Sequence, residues 1–266
     1  MHPELLRFNY FAHERIFYSY GLLIIAASAG AILVGAGRAA RHGLAPFDVV
    51  AAGLLCVCAG LFGAALLYDL INWSAFVADP RAFLTHPGMV FYGGFVAAAI
   101  AAIAYARRYA IDLAALADVA AVALPVGHAI GRIGCFLGGC CYGRPTSSRF
   151  GVMFTTPGTP AFASCFVHGP IHPVQLYESF GLLAIAGIMV LAERRSDGRP
   201  AGWLFTLYLA LYAFLRLGTE QFRGDFSERK FLVTGLLSTS QAIALAMLGV
   251  AAGLFFHLRR HQERHA

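Results

Sequence analysis

The sequence predicts an all-α polytopic membrane protein of seven transmembrane helices, N-out/C-in, with a small outer-face cap between helices 4 and 5. Three observations carry this prediction. Of 266 residues, 59% are hydrophobic and only 13% charged, with a mean hydropathy of +0.66; a soluble chain averages roughly 45–50% apolar and ~25% charged. Apolar runs near the length of a bilayer crossing, about 20 residues, recur along the chain. Arginine pairs abut the runs on one side. A water-soluble fold of this size cannot hide so much apolar surface. An ordinary cytosolic enzyme, a disordered chain and a secreted disulfide scaffold are excluded, and residues 1–266 are expected to form a single integral membrane domain.

The predicted spans are Phe17–Val34, Phe47–Ile71, Met89–Ala106, Leu113–Phe136, Val174–Leu191, Trp203–Leu217 and Ser240–His257. Gly/Pro joints such as Gly43 to Pro46, Pro87–Gly88 and Gly198 to Gly202 separate several of them. The first sixteen residues place Glu4, Arg7, Glu14 and Arg15 ahead of any long apolar run, which is not the shape of a cleaved signal peptide. The longest polar connection, Cys140 to His172, holds four prolines and is expected to form the cap. Orientation follows from arginine placement. With the N-terminus outside, ten basic residues fall in short inner loops, often paired as in Arg107–Arg108, Arg194–Arg195 and Arg259–Arg260. Eight, among them Arg81, Arg149, Arg229 and Lys230, fall outside. Short inner loops with arginines against the spans are the positive-inside pattern. The net charge of +6 is therefore read as contact with anionic lipid, not nucleic acid.

Two arginines sit inside apolar runs. An arginine at membrane depth costs ~2.5–3.5 kcal/mol on insertion scales and persists where it is paired or lines a cavity. Arg216 belongs to a helical stripe with Tyr208, Tyr212, Glu220 and Arg223, which should face the bundle interior. It reads as a functional stripe or as a structural ion pair. Arg132 lies in a run with Gly127, His128, Gly131, Gly134, Gly138 and Gly139. Glycines at this density are expected to break the helix and let backbone N–H groups approach a ligand, and an arginine among them suits bidentate binding of phosphate. The alternative is a glycine-lined helix contact with a snorkelling arginine. A third segment, His172-Pro173-Val174-Gln175-Leu176-Tyr177-Glu178, starts a helix with Gln175 and Glu178 on one face and His172 at its mouth. It reads equally as an ordinary N-terminal cap.

The stretch Gly131-Arg132-Ile133-Gly134-Cys135-Phe136-Leu137-Gly138-Gly139-Cys140-Cys141-Tyr142-Gly143-Arg144-Pro145-Thr146 resembles the signature of bacterial prolipoprotein diacylglyceryl transferases, Gly-Arg-x-Gly-Asn-Phe-x-Asn-x-Glu-x-x-Gly, often followed by x-Pro-Thr. Tyr20-Gly21 in the first span, the His172 to Glu178 segment, and Arg216, Glu220 and Arg223 resemble further family motifs in the right order. The resemblance implies transfer of a diacylglyceryl group from phosphatidylglycerol, or a similar anionic phospholipid, to the lipobox Cys thiol of a preprolipoprotein signal peptide. Glycerol phosphate is released, at the outer face of the bacterial inner membrane. It implies that Arg132 and Arg216 bind the phosphate and stabilise the leaving group. Glu220 and Arg223 would brace them. His172, Gln175, Tyr177 and Glu178 would shape the headgroup pocket, with Tyr20, Gly131 and Gly134 among the substrate-binding positions. No cofactor is expected and no metal is required, because phosphate is already a workable leaving group.

The chain departs from the pattern at defined positions. Tyr92, in Gly88-Met89-Val90-Phe91-Tyr92-Gly93-Gly94, stands where the family has a histidine that is a candidate base for the thiol. Cys135, Gly138 and Cys140 replace the two Asn and the Glu of the signature. A phenol of pKa ~10 accepts a thiol proton poorly at neutral pH. Tyr92 is therefore expected to orient the lipid, with His172 or Glu178 as candidates for proton removal. Cys135, Cys140, Cys141 and Cys165 read as packing residues, as a disulfide from Cys140 or Cys141 to Cys165, or as a metal-binding or reactive set. Two other functions stay open: a related transferase with a different lipid or acceptor, and a non-catalytic lipid-binding or metal/redox membrane protein.

Overall fold

A computed structural model describes residues 4–10, 13–81, 88–195, 198–224, 231–233 and 237–265. Pro87, Arg229 and Lys230, named above, lie outside the described residues. An antiparallel hairpin, β1 (Glu4–Tyr10) with β2 (His13–Tyr18), precedes the helices. In chain order these are α1 (Ser19–Arg38), α2 (Pro46–Ile71), α3 (Trp73–Ala78), α4 (Phe91–Arg108) and α5 (Leu113–Gly138). There follow α6 (Pro160–His168), α7 (Val174–Glu193), α8 (Trp203–Glu220) and α9 (Thr239–His265). A two-stranded ladder, β3 (Phe231–Val233) with β4 (Leu237–Ser238), leads into α9.

Among the described residues the protein is thus all-α apart from two short hairpins and isolated bridges, and each predicted span coincides with a helix. Five of them, α1, α2, α5, α7 and α9, are long and apolar enough to cross a membrane. The 18-residue α4 and α8 coincide with the third and sixth predicted spans. The first helix opens at Ser19 and not Phe17, because Phe17 is paired into β2.

The chain divides into two compact units, residues 32–119 and residues 1–31 with 120–266. In the first, α2 packs on α4 through facing glycines. A Cβ on Gly63 would stand 2.6 Å from the Gly93 carbonyl oxygen, so only glycine permits this backbone approach. Near the start of α2 and the end of α4, Val49, Ala52, Tyr105, Ala106, Leu116 and Val119 belong to a buried cluster, and the Tyr105 hydroxyl donates to Asp48 Oδ1 at 3.3 Å.

In the second unit Ala121, Val122, Ile185, Met189, Leu204 and Tyr208 form the core of α5, α7 and α8. The buried Ser179 hydroxyl donates to the Ala129 carbonyl at 3.0 Å and pins α7 to α5. Contrary to the expectation from its glycines, α5 runs unbroken from Leu113 to Gly138, across Pro125. A spanning segment has no water to satisfy freed backbone groups, so the helix persists and the glycines serve packing. A Cβ added at Gly134 would stand 3.2 Å from Leu23 Cβ and 3.4 Å from the Tyr20 ring, and one at Gly131 3.8 Å from Ile24. The chain turns only at Gly139, with φ of 68°. Residues 140–172 then form a cap with its own core of Phe154, Ala161, Cys165 and Ile171. Bridges from Ile171 to Pro145 and Val152 close it.

Candidate active site

Glu178 is the centre of the polar cluster. It lies one turn into α7 and is fully buried. Arg132 of α5 reaches its Oε1 at 2.9 Å, and Arg216 of α8 reaches its Oε2 at 3.4 Å. One carboxylate therefore joins two guanidiniums from two other helices. Arg216 also pairs with Glu220, one turn on, at 3.2 Å, and donates to Ser240 Oγ at 2.9 Å. The position between Arg132 and Arg216 is thus held by a protein carboxylate. Each guanidinium has five donors, so these contacts leave N–H groups on both. The buried Nε of Arg132 has no hydrogen-bond partner among the described residues.

Sequence reading missed three members of this cluster, His128, Ser238 and Ser240, and the neighbouring Ser179. His128 sits one turn before Arg132, its Nε2 3.8 Å from Glu178 Oε1 and its ring against Tyr212. Its signal was the four-residue spacing to Arg132. Ser179, next to Glu178, carried no separate signal. Ser238 and Ser240 belong to a capping box, Ser238-Thr239-Ser240-Gln241. The Gln241 N–H donates to Ser238 Oγ at 3.2 Å, and the Ser238 N–H donates to Gln241 Oε1 at 3.0 Å. The same Ser238 hydroxyl donates to Glu220 Oε1 at 2.8 Å, so the start of α9 anchors the carboxylate beside Arg216. The Ser-x-x-Gln spacing was legible; its target was not.

Arg223 leaves the stripe predicted for it. α8 stops at Glu220, and Arg223 pairs its backbone with Gly143 beyond the helix. A Cβ on Gly143 would run into the His172 backbone, which explains the glycine there. The strand-like stretch 142–144 is held on both sides: Gly143 N–H donates to the His172 carbonyl at 3.1 Å, and Gly224 N–H to the Tyr142 carbonyl at 3.1 Å. The buried Gln175 donates from Nε2 to the Cys140 carbonyl at 2.7 Å, while its buried Oε1 has no partner among the described residues.

His172 stands at the mouth of α7, with Nδ1 3.1 Å from the Tyr177 hydroxyl and its ring against Phe222. Partial burial, and then the Arg144 guanidinium, hold its pKa below the ordinary imidazole value. Since the unfolded chain then binds this proton first, stability falls as pH drops below about 6.5. We expect an NMR titration of His172 to have its midpoint below 6.5, and His172→Gln to flatten the acid limb of the stability profile. A midpoint above that value contradicts the geometry.

Tyr20 is half-exposed on α1 and lines an open cleft of about 510 Å³ with Gly21, Gly138, Cys140, Thr159 and Pro160. Tyr92 belongs to the other compact unit, at the start of α4, where its ring meets Phe91 edge-on. All six cysteines are free thiols, so the disulfide to Cys165 is not formed. Cys165 is buried in the cap core, accepting from the Phe154 N–H at 3.4 Å. Cys135, Cys140 and Cys141 form a separate group, their Sγ atoms all within 4.8 Å of one another. In that group, hydrogen bonds from Cys135 and Cys140, then the Arg223 and Arg132 charges, hold the Cys141 thiol well below its ordinary range, and Cys140 is pushed up by the same sharing.

The family model described as prolipoprotein diacylglyceryl transferase matches residues 11–257. Curated relatives share the name phosphatidylglycerol–prolipoprotein diacylglyceryl transferase. The chain is 29% identical to that of Clostridium tetani, over 93% of this chain and 95% of the relative. It is 31% identical to that of Dehalococcoides mccartyi, over 81% and 79%. It is 32% identical to that of Geobacter sulfurreducens, over 91% of each. With four ordered motifs, a helical membrane architecture and a match spanning nearly its whole length, the chain belongs to the prolipoprotein diacylglyceryl transferase family.

Proposed function

We propose that the protein transfers a diacylglyceryl group from phosphatidylglycerol, or a similar anionic phospholipid, to the lipobox cysteine of a preprolipoprotein. The supporting observation is the pairing of Arg132 and Arg216 with the buried Glu178. The guanidiniums of Arg132 and Arg216 share the Glu178 carboxylate, and the donors they keep suit the single negative charge of a phosphodiester. Glu178 and Glu220 fix the two arginines in place, and the N–H groups they leave over bind the phosphate. As the carbon–oxygen bond to phosphate breaks, a second negative charge develops, and preorganised guanidiniums stabilise it without reorganising. Gln175 Oε1 is an acceptor for a headgroup hydroxyl. His172 and Tyr177 wall the headgroup, and Tyr20, Gly131 and Gly134 shape the lipid side. Transfer from radiolabelled phosphatidylglycerol to a lipobox peptide, with release of glycerol phosphate, tests the reading. Absence of product with the purified protein in phosphatidylglycerol bilayers rejects it.

The architecture we propose is a single membrane domain over residues 1–266, crossing the bacterial inner membrane seven times, N-out/C-in, with the site at the outer face. The arginine pairs support it. Cysteine-accessibility labelling is expected to place position 41 inside and position 149 outside; labelling of both from one side rejects the topology.

Tyr92 favours a second reading, a related transferase with another acceptor, because the family's histidine is missing there. On the main reading Tyr92 orients the lipid by donating to phosphate. Tyr92→Phe is then expected to lose about tenfold in transfer, or about 1.4 kcal/mol, and His172→Ala far more. An inactive Tyr92→Phe beside an active His172→Ala makes Tyr92 the acid/base group.

A further inference from the structure

The thiols of Cys135, Cys140 and Cys141 take no part in the phosphate site, yet the fold works to bring them together. Cys135 opens the last turn of α5, and Gly139 reverses the chain with φ of 68°. Cys141 follows with φ of 56°, a left-handed conformation that costs a non-glycine residue energy and persists only where the surroundings hold it. They do hold it. Cys140 N–H donates to the Cys135 carbonyl at 3.2 Å, and Gln175 grips the Cys140 carbonyl. The next residues are clamped between 172 and 224. Two of the three cysteines, Cys135 and Cys140, occupy positions where the family signature has Asn and Glu.

Three sulfurs within 4.8 Å already approach a metal-thiolate geometry. Tetrahedral zinc with Zn–S of about 2.3 Å needs sulfurs about 3.8 Å apart, a contraction of about 1 Å. Thiolates select zinc or copper(I) over harder cations. Three protein ligands leave a fourth tetrahedral position open, the arrangement of catalytic zinc. The three thiolates and Zn²⁺ carry one net negative charge, which Arg132, one turn before Cys135, and Arg223, paired to Gly143, offset. Cys140 also lines the open cleft beside Tyr20 and Thr159, which admits a peptide side chain.

We propose that Cys135, Cys140 and Cys141 bind a zinc ion whose fourth position takes the acceptor's cysteine thiol and presents it as a thiolate to the phospholipid. The proposal rests on the transfer reading above and supplies the thiol activation that Tyr92 cannot. On coordination the acceptor thiol releases its proton to solvent. Its sulfur then attacks the glyceryl carbon bonded to the phosphodiester oxygen. A carbon–sulfur bond forms as the carbon–oxygen bond breaks, and the electron pair leaves on glycerol phosphate, now a dianion held by Arg132 and Arg216. The product is a neutral thioether that binds zinc more weakly than a thiolate, which favours its departure.

The test is metal analysis of the full-length protein, purified under reducing conditions and dialysed against zinc. One zinc per chain is expected. Zinc affinity should fall about a hundredfold or more in Cys135→Ser, Cys140→Ser and Cys141→Ser, and stay unchanged in Cys165→Ser and Cys58→Ser. With cobalt(II) in place of zinc, thiolate-to-metal absorption should appear. It should intensify on adding a lipobox peptide, but not its Cys→Ser analogue. Chelation of the wild-type protein should stop transfer and zinc should restore it, a reversal that does not depend on how any variant folds. Metal-free protein with full transfer activity overturns the proposal. So does bound metal whose spectrum ignores the peptide thiol. If metal binds and responds to the peptide but no lipid is transferred, the zinc site stands and the transferase reading fails.

Discussion

Arg132→Ala and Arg216→Ala are each expected to lower transfer by about 10²–10³-fold or more while the protein remains in the membrane. Each guanidinium is asked to meet charge that appears only as the phosphate leaves, so its loss falls on the chemical step more than on lipid binding. Lysine at either position should rescue poorly. It has no planar fork to serve Glu178 and a phosphate oxygen together. The double alanine variant should be little worse than either single one, because residues that act as a unit are non-additive. Turnover of labelled phosphatidylglycerol by variants purified at equal yield decides the matter. Near wild-type turnover in either alanine variant removes the phosphate-binding role.

The second large effect is expected on stability. Glu178 is fully buried and joins the two arginines. Glu178→Ala leaves two guanidiniums without their shared counter-charge, and removing one partner of a buried pair costs about 3–5 kcal/mol. Glu178→Gln keeps the shape and one acceptor, so it should destabilise less yet still cut transfer, since the arginines lose the group that fixes them. Replacing Arg132, Arg216 and Glu178 together by methionine should restore much of the stability with no activity. Thermal unfolding in detergent distinguishes these outcomes. A Glu178→Ala variant as stable as the wild type contradicts the ion-pair cluster.

Ser238→Ala bears on both effects. It removes a helix cap worth about 1 kcal/mol and the hydroxyl that holds Glu220. Its consequence for transfer therefore measures how far the start of α9 positions Arg216.

The sequence by itself determined the membrane character, the helices and most of the residues that make up the polar cluster. Apolar runs of bilayer length must become helices, because hydrocarbon leaves the backbone no other partner. Charged residues inside those runs must find one another or a ligand. Arg132 and Arg216 were legible for that reason, Glu220 from the helical stripe it shares with Arg216, and His172, Gln175, Tyr177 and Glu178 from their motif. Tertiary structure alone decided who meets whom. Nothing in the chain announced that Glu178 of α7 would join arginines from α5 and α8, or that Ser238 would cap α9 and grip Glu220 at once. Local reading also went astray where packing overrides propensity. The glycines of α5 looked like a break and proved to be contact points for Tyr20 and Leu23. Arg223 looked like one more residue of a helical stripe but lies past the end of α8, paired to Gly143. The grouping of Cys135, Cys140 and Cys141 required the turn at Gly139 and the left-handed backbone of Cys141. A spacing of five residues and one does not encode those angles; the clamped loop imposes them.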